Sequence, residues 1–107
     1  MISFEEFKKL EIRIGKVLSA EKVEGTDKLV KLIFDVGSEQ RHIIAGIAEF
    51  FLDLSVLIGK EMPLVVNLEP KILKGHESQG MILAVDVNGK PVLLRPETQV
   101  PPGSTVR

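Results

Sequence analysis

The sequence predicts an all-β fold: a small, partly open five-stranded barrel with a short N-terminal helix, a helical connector after strand three and a C-terminal hairpin extension. Three observations carry this. Apolar residues recur at a period of two in several short segments bounded by turn residues. A single internal stretch, residues 49 to 58, breaks that alternation. Asn88-Gly89 stands between apolar runs, and this pair is the strongest short hairpin signal in the chain.

The elements follow in order. Ser3-Phe4-Glu5-Glu6 is a capping box: the Ser3 hydroxyl can accept from the Glu6 amide while the Glu6 carboxylate reaches back, with Ile2 and Phe7 placed as a hydrophobic staple. A helix over residues 4 to 10 presents Phe4, Phe7 and Leu10 on one stripe, which must be buried against the protein's own core or in a subunit interface. Ile12 and Ile14 open strand one, and the phase slip at Lys16-Val17 predicts a bend or bulge near Gly15. Residues 24 to 27 form a turn. Val30, Leu32, Phe34 and Val36 mark strand two, residues 37 to 40 a turn, and residues 41 to 45 strand three.

Short helical turns over residues 49 to 58, stopped by Gly59, connect to strand four over residues 62 to 68. Strand five is expected over residues 81 to 87, with Asn88-Gly89 folding residues 91 to 94 back on it. Pro101 and Pro102 keep the tail out of a central ladder. With no repeat and no low-complexity linker, residues 1–107 read as one domain, within the size that a single modest core supports. Of the small barrels with a helical interruption after the third strand, the oligonucleotide-binding barrel is the commonest.

Charge and composition narrow the function. Fourteen Lys and Arg against fifteen Asp and Glu give a formal charge of -1, which opposes indiscriminate coating of nucleic acid; a polyanion surface must come from arrangement. The absence of cysteine excludes disulfides and thiolate metal sites, and two distant histidines make a poor zinc site, so neither a metal nor another cofactor is expected. No leader is evident and no apolar run approaches the ~20 residues that span a bilayer, which predicts a soluble protein without a membrane partner.

Residues 67 to 81, NLEPKILKGHESQGM, form a polar loop between two apolar runs, either a simple connection or a working surface. Catalytic readings of it fail. Gly75 and Gly80 have the glycine spacing of a phosphate loop, but Met81-Ile82 replaces the Lys and Ser/Thr that reach phosphate and magnesium. Ser78 precedes Gly80 as in a nucleophile elbow, yet His76 occupies the place of the glycine on which the sharp turn depends. The carboxylates Asp27, Asp35, Glu69 and Glu77 lie among basic neighbours, as on solvated faces, and no catalytic residue is assigned.

Leu10-Glu11-Ile12-Arg13-Ile14-Gly15-Lys16-Val17, Thr26-Asp27-Lys28-Leu29, Ile44-Ala45-Gly46-Ile47, Asn67-Leu68-Glu69-Pro70-Lys71, Gly75-His76-Glu77-Ser78-Gln79-Gly80-Met81-Ile82-Leu83-Ala84 and Pro101-Pro102-Gly103 together carry a resemblance over nearly the whole chain. The sequence resembles the tRNA-binding domain found as the C-terminal domain or separate β subunit of methionyl-tRNA synthetases and as free-standing tRNA-binding proteins. The resemblance implies a non-catalytic oligonucleotide-binding barrel in the cytoplasm, a homodimer that binds tRNA by shape and assists the synthetase's catalytic chain. With no Trp or Tyr to stack a single strand, folded RNA is the expected ligand.

On that reading Lys71 and Lys74 contact phosphate, Ser78 and Gln79 donate to ribose or phosphate, and Asn67 either fixes the loop backbone or touches RNA. Gly75 and Gly80 permit turns. Arg13, Lys16, Lys28 and Lys31 are further groove-lining cations, with Arg41 and Lys60 ranked below them. Phe4 and Phe7 with Val92, Leu93 and Leu94 are the candidates for the dimer interface. Two alternatives stay open. A related branch resembles a dimeric export chaperone that binds unfolded polypeptide, and a dimerisation module with little RNA contact is the other.

Overall fold

The computed structural model describes residues 1–107. In chain order the elements are α1 (Phe4–Phe7), β1 (Ile12–Lys22), β2 (Val30–Asp35), β3 (Gln40–Ala45), 3-10 turns at Ala48–Phe50 and Leu54–Leu57, and β4 (Glu61–Val65). There follow β5 (Lys71–Leu73), β6 (His76–Ser78), β7 (Met81–Ile82), β8 (Ala84–Val87), β9 (Lys90–Leu93) and β10 (Thr105–Val106). Antiparallel strands in the order β3-β2-β1-β4-β7 form the five-stranded barrel, and β10 adds to β1. No helix is long and apolar enough to cross a membrane.

β1 holds the barrel together because it changes partners along its length. Its first half pairs with β4 and its second with β2, and Lys16 lies opposite both Glu61 and Asp35. The register slips between Val17 and Ser19, so the bulge falls at Leu18, three residues beyond the expected bend. Gly15 serves packing instead: a Cβ there would stand 2.5 Å from Leu64 Cδ1 and 2.9 Å from Phe34 Cδ1. Val17, Val30, Leu32, Phe34, Ile43, Met62 and Leu64 fill the barrel, and Leu57 from the connector plugs it. Each of these buried side chains contributes about 1.5–3 kcal/mol by leaving water.

The ends of elements explain the other differences. Ser3 Oγ accepts from Glu6 N at 3.1 Å, as the capping box predicts, but Lys9 N and Leu10 N bond three residues back, so the last turn tightens and α1 stops at Phe7. Phe4 is 70% exposed and Leu10 43%, so the stripe of α1 is not buried in the protein's own core. The expected fifth strand is split. β7 pairs with β4 only through Leu64↔Ile82 and Val65↔Met81, and although Leu83 N donates to Pro63 O, Pro63 has no N–H to return. The chain therefore leaves the barrel, and β8 and β9 form a separate hairpin around Asn88-Gly89.

Candidate functional site

Alternation in β2 sets the outer face of the barrel. Val30, Leu32 and Phe34 point into the core, so Lys31, Ile33 and Asp35 point out. Residues directly opposite in an antiparallel pair share a face, which places Ile44, His42 and Gln40 of β3 and Glu21, Ser19 and Lys16 of β1 beside them. The loop over residues 23 to 29 borders this face at one end. Lys28 is held there by its backbone, with its N–H on Thr26 Oγ1 at 3.2 Å and its carbonyl accepting from Ala48 N at 3.0 Å, while its side chain is exposed.

The other border is the segment over residues 67 to 80. It is neither a plain connection nor an open loop: β5 and β6 pair through Lys71↔Ser78, Ile72↔Glu77 and Leu73↔His76, turning at Lys74-Gly75. Both turn residues have positive φ, 50° and 81°, as a type I′ corner requires. The sequence does not disclose this hairpin, because each arm has three residues and no sustained alternation. Its base is clasped to β3. Gln79 N donates to His42 O at 2.7 Å, His42 N to Gln79 Oε1 at 3.0 Å, and Ile44 N to Ser78 Oγ at 3.0 Å.

The clasp divides the candidate residues in two. Ser78 is buried, its hydroxyl accepting from Ile44 N and donating to Gly80 O at 3.1 Å, so it closes the barrel instead of presenting a donor to ribose. Gln79 uses its carbonyl oxygen on His42 N. Asn67 is bound on both sides, Oδ1 accepting from Glu11 N at 2.8 Å and Nδ2 donating to Lys9 O at 2.7 Å, which ties the start of the segment to the chain between α1 and β1. Arg13 pairs with Glu11 at 2.6 Å and donates to Gly103 O at 2.9 Å, holding the C-terminal turn. Gly80 lies at φ 152°, where a Cβ would meet Val65 O at 2.8 Å.

The lysines remain uncommitted. Lys16 and Lys31 are half-buried, Lys28, Lys71 and Lys74 exposed, and none is in an ion pair. Lys31 lies opposite Ile44, Ile44 N is bonded to Ser78, and Ser78 lies opposite Lys71. Successive neighbours thus lead from one lysine to the other across three strand spacings, roughly 15 Å. Beside this row an apolar cleft of about 660 Å³ opens between β3, the hairpin and β9, lined by Ile44, Ile47, Leu73, Met81, Ile82 and Leu93.

The residues named for a dimer interface are dispersed. Phe4 is exposed and Phe7 half-buried on α1; Val92 on β9 and Leu94 just beyond it are 45% and 41% exposed, while Leu93 packs against the core. Val85, opposite Val92, and Val87 are comparably exposed; their alternation in the sequence is that of a barrel strand and gives no sign of an interface.

A family model described as "Putative tRNA binding domain" matches residues 12–105. Methionine–tRNA ligases of Archaeoglobus fulgidus and Methanothrix thermoacetophila are 53% identical over 105 residues and 48% identical over 107 residues, covering 98% and 100% of this chain. The chain spans only 16% of the length of either. Among solved structures, the MetRS related protein from Pyrococcus horikoshii superposes with a TM-score of 0.94 at 41% identity, covering 100% of this chain and 98% of that one. The chaperone CsaA from Bacillus anthracis str. Ames superposes with a TM-score of 0.90 at 33% identity, covering 100% and 99%.

Proposed function

Because the chain belongs to the tRNA-binding domain family, we propose that residues 1–107 act as one non-catalytic unit that binds folded tRNA by its backbone and, as a homodimer, assists a methionyl-tRNA synthetase. One observation carries this reading: Lys31 stands on the β2–β3 face, Lys28, Lys71 and Lys74 border it from the two flanking segments, and all four are free of ion pairs. In barrels of this type that face and those loops take nucleic acid. Cations spaced by strand register reach separate phosphates, and the compact ammonium of Lys suits a point contact without base readout. Lys16 shares the outer face from β1 but lies farther along it, opposite Asp35, and the free amide nitrogen of Gln79 is left to reach a ribose or phosphate.

Binding should therefore follow salt, not sequence. Equilibrium titration of folded tRNA, unfolded peptide and single-stranded DNA side by side tests this, with tRNA expected tightest and log K falling linearly with log salt. Lys71→Ala should make the slope shallower by about 0.9, the contribution of one phosphate. Equal affinity for tRNA and single-stranded DNA, or a slope unchanged by that substitution, would refute the assignment.

The apolar cleft beside β3 and the likeness to the CsaA chaperone favour a second reading, capture of apolar segments of unfolded polypeptide. In the titration it would emerge as salt-insensitive peptide binding tighter than that of tRNA.

A further inference from the structure

Arg41 is the second residue of β3 and is half-buried, and its guanidinium is used almost completely. Nη1 donates to Val66 O at 2.8 Å and to Gln79 O at 3.1 Å. Nε and Nη2 both donate to Glu39 Oε1, at 3.1 and 2.8 Å, which fixes the plane of the group. Four of its five N–H donors are thereby engaged inside the protein.

The two carbonyls on Nη1 are not arbitrary. Val66 is the last residue before the chain turns away from β4 into the hairpin segment, and Gln79 is where the segment returns toward β7. One nitrogen therefore spans the neck of the whole excursion. It lies on the same strand whose His42 and Ile44 amides take the Gln79 and Ser78 side chains, so β3 holds both ends of the segment while Lys71 and Lys74 project from its middle. Ion pairing alone has no use for this geometry, since Glu39 would be served equally by a guanidinium turned outward.

We infer that Arg41 is a positioning residue for RNA binding: it clamps the neck of the β5–β6 hairpin so that Lys71 and Lys74 are held in line with Lys31, and it makes no phosphate contact of its own. The inference rests on the tRNA-binding reading above. Without the clamp the hairpin samples more orientations, and binding must then restrict them, which lowers affinity without changing how many phosphates are neutralised.

The experiment pairs tRNA titrations at several salt concentrations with amide hydrogen exchange, on the wild type, Arg41→Ala and Arg41→Lys. Lys74→Ala serves as the contact control. Arg41→Ala is expected to lose about three- to tenfold in affinity at an unchanged salt slope, with faster exchange confined to residues 66–80. Arg41→Lys should fail to rescue either readout, because an ammonium cannot bridge two carbonyls while lying in the plane of Glu39. If Arg41→Ala does not fold, Arg41→Lys is read by the same criteria.

A slope shallower by about 0.9, restored by Arg41→Lys, would make Arg41 a phosphate contact and overturn the inference. So would unchanged affinity and exchange. If the wild type shows no salt-dependent tRNA binding, the functional reading itself falls; a clamp that fails instead leaves wild-type binding intact and shows no change in exchange.

Discussion

Lys74 and Asn88 occupy the same corner of two hairpins of the same kind. Each is the first residue of a two-residue turn, at φ 50° and 53°, and each is followed by glycine, at 81° and 84°. Asparagine is at home in this left-handed region and lysine is not. The β5–β6 tip thus carries a residue that its backbone disfavours, where the neighbouring hairpin shows the favoured one.

Lys74→Asn should therefore raise stability while weakening tRNA binding. Relief of the backbone is expected to be worth roughly 0.5–1 kcal/mol, read as a higher denaturant midpoint at an unchanged m-value. In the same protein the salt slope for tRNA should become shallower by about 0.9. A variant that binds tRNA with wild-type affinity and slope would show that the ammonium at the tip has no role.

Much of this was legible in the sequence, for reasons that differ by element. The outer and inner faces of β2 could be read because Val30, Leu32 and Phe34 obey a period of two that burial enforces. The β8–β9 turn could be read because Asn88-Gly89 has few other uses. The clasp could not. Ser78, Gln79 and Asn67 are polar residues in a polar loop, the usual mark of a surface, and only the fold reveals that their partners are backbone groups of β3 and of residues 9 and 11. The role of Arg41 is hidden for the same reason: nothing local in the sequence links it to Val66 or Gln79, which lie 25 and 38 residues away.

Gly15→Ala tests the packing of the barrel. The new methyl would collide with Leu64 and Phe34, both fully buried, and overpacking of this kind costs about 1–3 kcal/mol. Because the clash is shared, combining Gly15→Ala with Leu64→Ala should destabilise by clearly less than the sum of the two single changes in a denaturation cycle. Strict additivity would mean that Gly15 is retained for backbone reasons.

Asp53 gives a pH signature. It caps the Leu54–Leu57 turn, with Oδ1 accepting from the Ser55 hydroxyl at 2.6 Å and the Ser55 amide at 3.0 Å, and these bonds, the hydroxyl first, hold its carboxyl below the usual aspartate range. A depressed folded-state value means that the cap is complete above the ordinary aspartate range and is lost as pH falls through the lowered one. In a carboxyl NMR titration Asp53 should turn over at lower pH than an unstructured aspartate, with the Ser55 amide shift following it. Ser55→Ala, which removes the hydroxyl and keeps the amide, should bring the midpoint partway back.

The last prediction concerns self-association. β8 and β9 pair only with each other, and a lone two-stranded hairpin is marginal in water. Val85, Val87 and Val92 are nevertheless all exposed on it, as are Leu94 just beyond it and Phe4 on α1. A second copy that covers these residues would supply the missing support, and a stable interface needs at least ~1,000 Å² in total with apolar anchors of this sort. Light scattering at micromolar concentration should then give twice the mass of the chain, and Val92→Asp should halve it while the barrel stays folded, because the new carboxylate would be buried without a partner. Phe7→Asp separates the two patches: a dimer that survives it excludes α1 from the interface and leaves the hairpin. In a folded monomer tRNA affinity should fall, since one RNA no longer meets two lysine rows at once. If it does not, a single row of Lys28, Lys31, Lys71 and Lys74 carries the whole site, and dimerisation serves stability alone.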